Sequence, residues 1–201
     1  ANPEVRRILV GLARELQDLG IDEVQLDYVR YPVGAEVGRR GANAAGAEAA
    51  SHAQNIRAFL DQLDQTLSIP VSVDVFGLTA FNRGDPTGIG QSIEDMAPYV
   101  EAITPMLYPA NFDRDYFRQR PERRHYDIVA SGVASLKRRV GDRVALRPFL
   151  QAFSFRVANF GVPFVADSIR AARDAGADGY LFWNNGVQYD TVFRALAGAA
   201  R

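Results

Sequence analysis

The sequence predicts a (β/α)8 TIM barrel of which about five of the eight strands are present, and three observations support that expectation. Helix-patterned segments alternate with short strand-patterned ones along the whole chain, which argues for a parallel sheet. Links from helix to strand are tight while links from strand to helix are long, as in folds that gather their working loops at the carboxyl ends of the strands. Each strand also keeps one polar face. That suits a barrel interior opening into a binding site better than a doubly wound sheet, whose strands are apolar on both sides. An open five-stranded sheet is the alternative.

The elements follow in order. Asn2-Pro3-Glu4 is a helix start, with Asn at the cap and Pro in the first turn. Ile8, Leu9, Leu12, Leu16 and Leu19 recur at helical spacing until Gly20 stops the helix. The first strand is expected near 23–28, where Glu23, Gln25 and Asp27 alternate with Val24, Leu26 and Tyr28. Gly34–Ala50 reads as a mobile loop running into a helix around Glu48–Leu67. The second strand lies near 71–76, with Ser72 and Asp74 between valines. A helix around Ser92–Val100 precedes a strand near 103–108, and one around Asp127–Val140 precedes a strand near 144–151. A helix around Pro163–Ala175 leads to a strand near 179–183, and a last helix covers Thr191–Ala199.

The tight links are Gly20-Ile-Asp22, Ser68-Ile-Pro70 and Gly176-Ala-Asp178; the long ones are Arg30–Ala47, Gly77–Gln91, Pro109–Tyr126 and Ala152–Val162. No linker separates them, so residues 1–201 read as a single domain. With 201 residues and 47% hydrophobic content the chain can bury a substantial core. Three strands of a full barrel are absent from this count. The segment is therefore expected to need a missing N-terminal barrel half, a second copy of the chain or a rearranged sheet, because open strand edges are an aggregation liability.

Composition narrows the chemistry by exclusion. A formal charge of −1 offers no basic field for nucleic acid, and no apolar run approaches a membrane span. Without cysteine there is no thiolate nucleophile or cysteine–metal site. His52 and His125 form no HxH or HExxH arrangement, so a histidine-based zinc site is not expected; the expectation is no metal and no cofactor, with carboxylate-held Mg²⁺ or Ca²⁺ as the minority alternative. Lys137, the only lysine, lies on a helix surface and is a poor Schiff-base candidate. Neither Asn184-Asn185-Gly186 nor Ala152–Val162 is a glycine-rich phosphate cradle, and no GxSxG elbow occurs. Ala1 in place of Met is compatible with a removed leader and an extracytoplasmic location.

Carboxylates remain. Asp27 and Asp74 occupy equivalent places near the carboxyl ends of two neighbouring strands, which lie about 4.8 Å apart in a sheet. That spacing can approach the roughly 5–9 Å used by glycosidase carboxylate pairs. Tyr28, Arg30, Phe76, Tyr108, Arg147, Gln151, Trp183 and Asn184 are the candidate substrate-binding groups, and the later strand ends, with Tyr108, Gln151, Trp183 and Asn184, supply neutral hydrogen-bonding groups and aromatic faces suited to a neutral polyhydroxylated ligand. The bland readings are an Asp27–Arg30 structural pair and ordinary aromatic packing. Glu23, about 13 Å deeper at about 3.3 Å per residue, fits a buried polar network, and Asp22 and Asp178 fit turns.

The run Gly20-Ile-Asp-Glu-Val-Gln-Leu-Asp-Tyr-Val-Arg-Tyr-Pro32 resembles a bacterial family, the Putative glycosyl hydrolase domain related to α-amylase-like barrels. Val73-Asp-Val-Phe-Gly77, Ile89-Gly-Gln91, Ala97–Pro109, Arg147–Gln151 and Asp178–Asn184 extend the resemblance in order. It implies a glycoside hydrolase acting on a polysaccharide or oligosaccharide, with entry at the helix before the fourth barrel strand and Asp27 in the place of the nucleophile. It departs from the amylase pattern at Gln25, where that pattern has Arg, and at Asp74, where it has Glu. Asp74 is the candidate general acid, with Asp113, Asp115 or Glu122 as substitutes. A carbohydrate-binding or scaffold module without turnover is the competing expectation.

Overall fold

The computed structural model describes residues 2–32, 42–85 and 87–199. Its contacts fall into two compact units, one of residues 1–75 and 82–103 and the other of residues 76–81 and 104–201.

The first unit begins with α1 (Pro3–Asp18). Asn2 caps it, its side-chain oxygen accepting from the Glu4 N–H at 2.9 Å, which satisfies one of the orphan amides of the first turn. Gly20 ends it at φ 85°, a conformation that costs a residue with a Cβ. The apolar stripe that predicts this helix is its outward face: Ile8 is 51% exposed, Leu12 50% and Leu19 79%, and only Ala13 is buried. α1 seats through its other side, where the side-chain Oε1 of Gln17 accepts from the Ser68 amide at 2.7 Å.

β1 (Val24–Leu26) is shorter than the expected 23–28. Tyr28 adopts φ 58°, which turns the chain out of the sheet, and the Arg30 amide closes back on the Tyr28 carbonyl at 2.8 Å. α2 (Ala42–Thr66) begins before the expected Glu48, because its alanine-rich first turns have high helix propensity. The expected loop over Gly34–Ala50 is therefore helical from Ala42, and residues 33–41 lie outside the described residues. β2 (Val71–Phe76) matches its expectation. It pairs in parallel with β1, Val24 with Val71, Gln25 with Ser72 and Leu26 with Val73. Leu60, Leu63, Val73, Val75, Ile93 and Ile103 form this unit's fully buried core. The helix expected over Ser92–Val100 is a single α-turn, α3 (Ile93–Met96), followed by a 3-10 turn at Ala97–Tyr99. Pro98 lacks the N–H that would continue the α-helical bonding.

β3 (Ala102–Met106) gives its first two residues to this unit and the rest to the second. In the second unit, Met106 pairs in parallel with Phe149 of β5 (Phe149–Gln151), and β5 pairs in parallel with β6 (Leu181–Trp183). The single strand expected over 144–151 is broken into β4 (Ala145–Leu146) and β5, since Pro148 cannot donate to a ladder. The strand expected near 179–183 likewise begins only at Leu181. α4 (Arg124–Val140), α5 (Val162–Asp174) and α6 (Asp190–Ala199) are the helices of this unit. Asp178 does more than turn the chain: its carboxylate accepts from the Leu146 amide at 2.8 Å and lies 3.6 Å from Lys137. Gly77 has no room for a side chain, because a Cβ there would collide with the Met106 carbonyl and the Phe112 ring.

Candidate active site

In the first unit, polar groups climb one face of the β1–β2 pair. At the bottom, Ser72 donates to Glu23 at 2.7 Å, the polar network expected of Glu23. Two residues up each strand, the Gln25 amide donates to the Asp74 carboxylate. Asp74 is 5% exposed, so that amide holds a carboxylate shielded from bulk water. The parallel register advances one residue at a time, which brings Asp27 level with Asp74 one step beyond the last pair. Asp27 itself is exposed, at the point where the chain leaves the sheet.

Gln91 is the residue that sequence reasoning gave no role. It is 1% exposed, and its amide donates to the Val29 and Asp74 carbonyls at 3.1 Å each. It thereby fixes the backbone just after Asp27 against the backbone of Asp74. Its own loop is wound around Asp85, whose carboxylate accepts from Thr87 at 3.1 Å and from the amides of Ile89 and Gly90. Gly90, at φ 86°, lies so close to His52 and Ile56 that a Cβ would meet Ile56 at 2.6 Å. The one signal for Gln91 was its place in the Ile89-Gly-Gln91 segment.

Next to Asp27, the Tyr28 ring is 66% exposed and lies 4.5 Å from the Arg30 guanidinium. Arg30 also donates to the Tyr31 carbonyl at 3.0 Å. Tyr31 stacks on His52 at 3.7 Å with the rings 8° from parallel, and His52 Nδ1 lies 2.8 Å from the Gly88 carbonyl. Asp27, Tyr28, Arg30 and Asp74 thus all belong to the first unit, in or just after β1 and β2.

The remaining candidates belong to the second unit, which Phe76 opens. Tyr108, Gln151, Trp183 and Asn184 stand at or just past the carboxyl ends of β3, β5 and β6. Trp183, 47% exposed, pairs with Gln151 in register. Tyr108 is buried, edge-on to Phe153 at 5.7 Å. Gln151 uses its amide on the loops: it accepts from the Ala110 N–H at 3.0 Å and donates to the carbonyls of Phe153 and Phe155. Asn184 accepts from the Gly186 and Gln188 amides and donates to the Ala152 carbonyl. These two amides shape the rim that presents Trp183. Arg147 lies beside Gly179, before the start of β6 and far down from Gln151. Of the substitute acids, Asp115 pairs with Arg118 at 3.5 Å on the surface, and Glu122 lines a separate cavity with Arg124 and His125.

The model of the Putative glycosyl hydrolase domain matches residues 1–189. No curated protein matches the sequence. Among solved structures, the glycoside hydrolase domain of PgaB (BpsB) from Bordetella bronchiseptica is similar with a TM-score of 0.65 at 15% identity, over 99% of this chain and 61% of that one. Hyaluronidase from bee venom is similar with a TM-score of 0.51 at 10% identity, over 95% of this chain and 74% of that one. The chain spans about three fifths of the length of the first of these. The likenesses assign the fold class: parallel strands alternating with helices, as in TIM-barrel glycoside hydrolases, with about five strands present. The open doubly wound alternative is set aside.

Proposed function

The chain belongs to the Putative glycosyl hydrolase domain family, and we propose that it hydrolyses a glycosidic bond of a polysaccharide or oligosaccharide with Asp27 and Asp74. What supports this most is the parallel register of β1 and β2, which ends at Leu26 with Val73 so that the next residues along the two chains are Asp27, exposed, and Asp74, buried and bonded by the Gln25 amide. Neighbouring strands lie about 4.8 Å apart, which favours the roughly 5 Å separation of a double-displacement enzyme.

In that reaction the exposed Asp27 carboxylate attacks the anomeric carbon, while protonated Asp74 gives its proton to the departing glycosidic oxygen. The C–O bond breaks, the leaving sugar departs as an alcohol, and a glycosyl ester remains on Asp27. Asp74, now a carboxylate, takes a proton from water, and the hydroxide equivalent displaces Asp27 to release the hemiacetal. The Gln25 amide holds the acid's rotamer, Gln91 holds the two segments together, and Tyr28 offers an apolar face to a sugar ring.

The test is the release of reducing ends from a panel of polysaccharides by the unaltered protein, by Asp27→Asn and by Asp74→Asn. Turnover that falls at least about a thousandfold in Asp27→Asn supports the assignment. Full activity in both variants refutes it.

A further inference from the structure

In the second unit the loops after β3 and β5 enclose, with the first turns of α4 and α5, a cavity of about 270 Å³. It contains none of the groups given roles above, and its charges are unevenly distributed. On one wall stands Arg124, which donates to the carbonyls of Pro109, Phe112, Asp113 and Tyr116 at 2.9–3.0 Å but meets no carboxylate. Burial lowers its pKa, and the charge that lowers it further is a second guanidinium, Arg156; no acidic group offsets them. Arg156 is exposed, is held at φ 56°, and makes no ion pair among the described residues. Two cations therefore line one cavity, Arg124 with four of its five N–H groups spent on backbone carbonyls and Arg156 outside any ion pair among the described residues.

The rest of the lining is aromatic and hydrogen-bonding. His125 stacks on Phe164 at 4.7 Å, and its Nε2 is buried without a hydrogen-bond partner, 3.6 Å from Asp167. Asp167 is held by Arg170 at 2.7 Å and remains an acceptor facing the cavity, as does Glu122. An anion alone would satisfy Arg156 and be repelled by these carboxylates. A neutral sugar would leave Arg156 without a counter-ion. A ligand that carries both a carboxylate and hydroxyl donors answers the guanidiniums and the acceptors alike, and the volume suits one ring rather than an oligosaccharide.

We infer that this cavity is a subsite for a uronic acid unit, with the sugar carboxylate toward Arg124 and Arg156 and its hydroxyls toward Asp167 and Glu122. The inference rests on the carbohydrate reading of the chain and deepens it by naming an acidic sugar as a ligand. It does not depend on turnover at Asp27.

The test is titration of the whole chain with D-glucuronate, D-glucose and inorganic sulfate, followed by NMR or calorimetry, with Arg156→Gln, Arg156→Lys and Asp74→Asn alongside. Arg156 is exposed, so its variants keep the fold. Expected are saturable glucuronate binding that weakens about tenfold in Arg156→Gln, partial recovery in Arg156→Lys and no change in Asp74→Asn. Binding of glucose or sulfate as tight as that of glucuronate would overturn the assignment. So would undiminished affinity in Arg156→Gln, or no saturable glucuronate binding. Failure of hydrolysis would appear in the reducing-end assay and leave these titrations untouched, so the two readings fail separately.

Discussion

The side-chain amide of Gln25 on β1 donates to the carboxylate of Asp74 on β2, across a parallel strand pair whose register brings Asp27 level with Asp74. If Asp74 is the proton donor, this amide fixes the direction in which the proton is delivered. Gln25→Leu removes this donor from a buried carboxyl group. The loss of one hydrogen bond to an uncharged carboxylic acid, about 0.5–1.5 kcal/mol, corresponds to roughly a 2–10-fold fall in kcat with KM little changed. Steady-state kinetics beside a circular dichroism spectrum checks this.

Gln91 bridges two backbone carbonyls from a fully buried position. Gln91→Leu removes one donor from each of these carbonyls and sets an apolar side chain against them, at a cost of about 1–3 kcal/mol. A lowered thermal midpoint is expected. Activity should fall more than stability predicts, because Asp27 and Asp74 lose their common tie. Melting curves and kinetics on the same samples separate the two effects.

These relationships also show what was legible in the sequence. β2 could be read to the residue, because Ser72 and Asp74 alternate with valines and no turn residue interrupts them. β1 could not, since Tyr28 enters the left-handed region without the Gly, Asn or Asp that usually signals it. The break between β4 and β5 was written in Pro148 but masked by the apolar residues around it. The carboxylates Asp27 and Asp74 were visible because strand alternation places polar groups by parity. Which amides are already engaged was not visible, because Gln151 and Asn184 bond to loop backbone whose path no local pattern encodes. For Gln91 the same holds in reverse: its partners lie 17 and 62 residues away.

The outward stripe of α1 predicts self-association. Val5, Ile8, Leu9, Leu12, Leu16 and Leu19 are each at least 42% exposed, and apolar surface in that concentration associates in water. Sedimentation velocity should show concentration-dependent association that Leu12→Gln with Leu16→Gln reduces. The thermal midpoint should stay close to that of the parent protein, because neither side chain contributes to the buried core.

His125 predicts a pH dependence. Burial lowers its pKa below the ordinary histidine value, more than the nearby Asp167 raises it. The unfolded chain therefore binds a proton at a pH where the folded chain does not, and stability falls as pH drops below about 6.5 toward the folded value. Replacing the ring with one that cannot titrate, His125→Phe, should flatten this part of the stability curve. Thermal melts between pH 5 and 8 on both proteins measure it.

The most direct test of Asp27 and Asp74 as a working pair is trapping with an activated 2-deoxy-2-fluoro glycosyl fluoride of the substrate sugar, followed by peptide mass spectrometry. A fluoride leaving group needs no proton, so the account predicts a glycosyl ester on Asp27 in the unaltered protein and in Asp74→Asn alike, while Asp74→Asn loses hydrolysis of the natural glycan. A label on another residue, or undiminished hydrolysis of the glycan by Asp27→Asn, would contradict it.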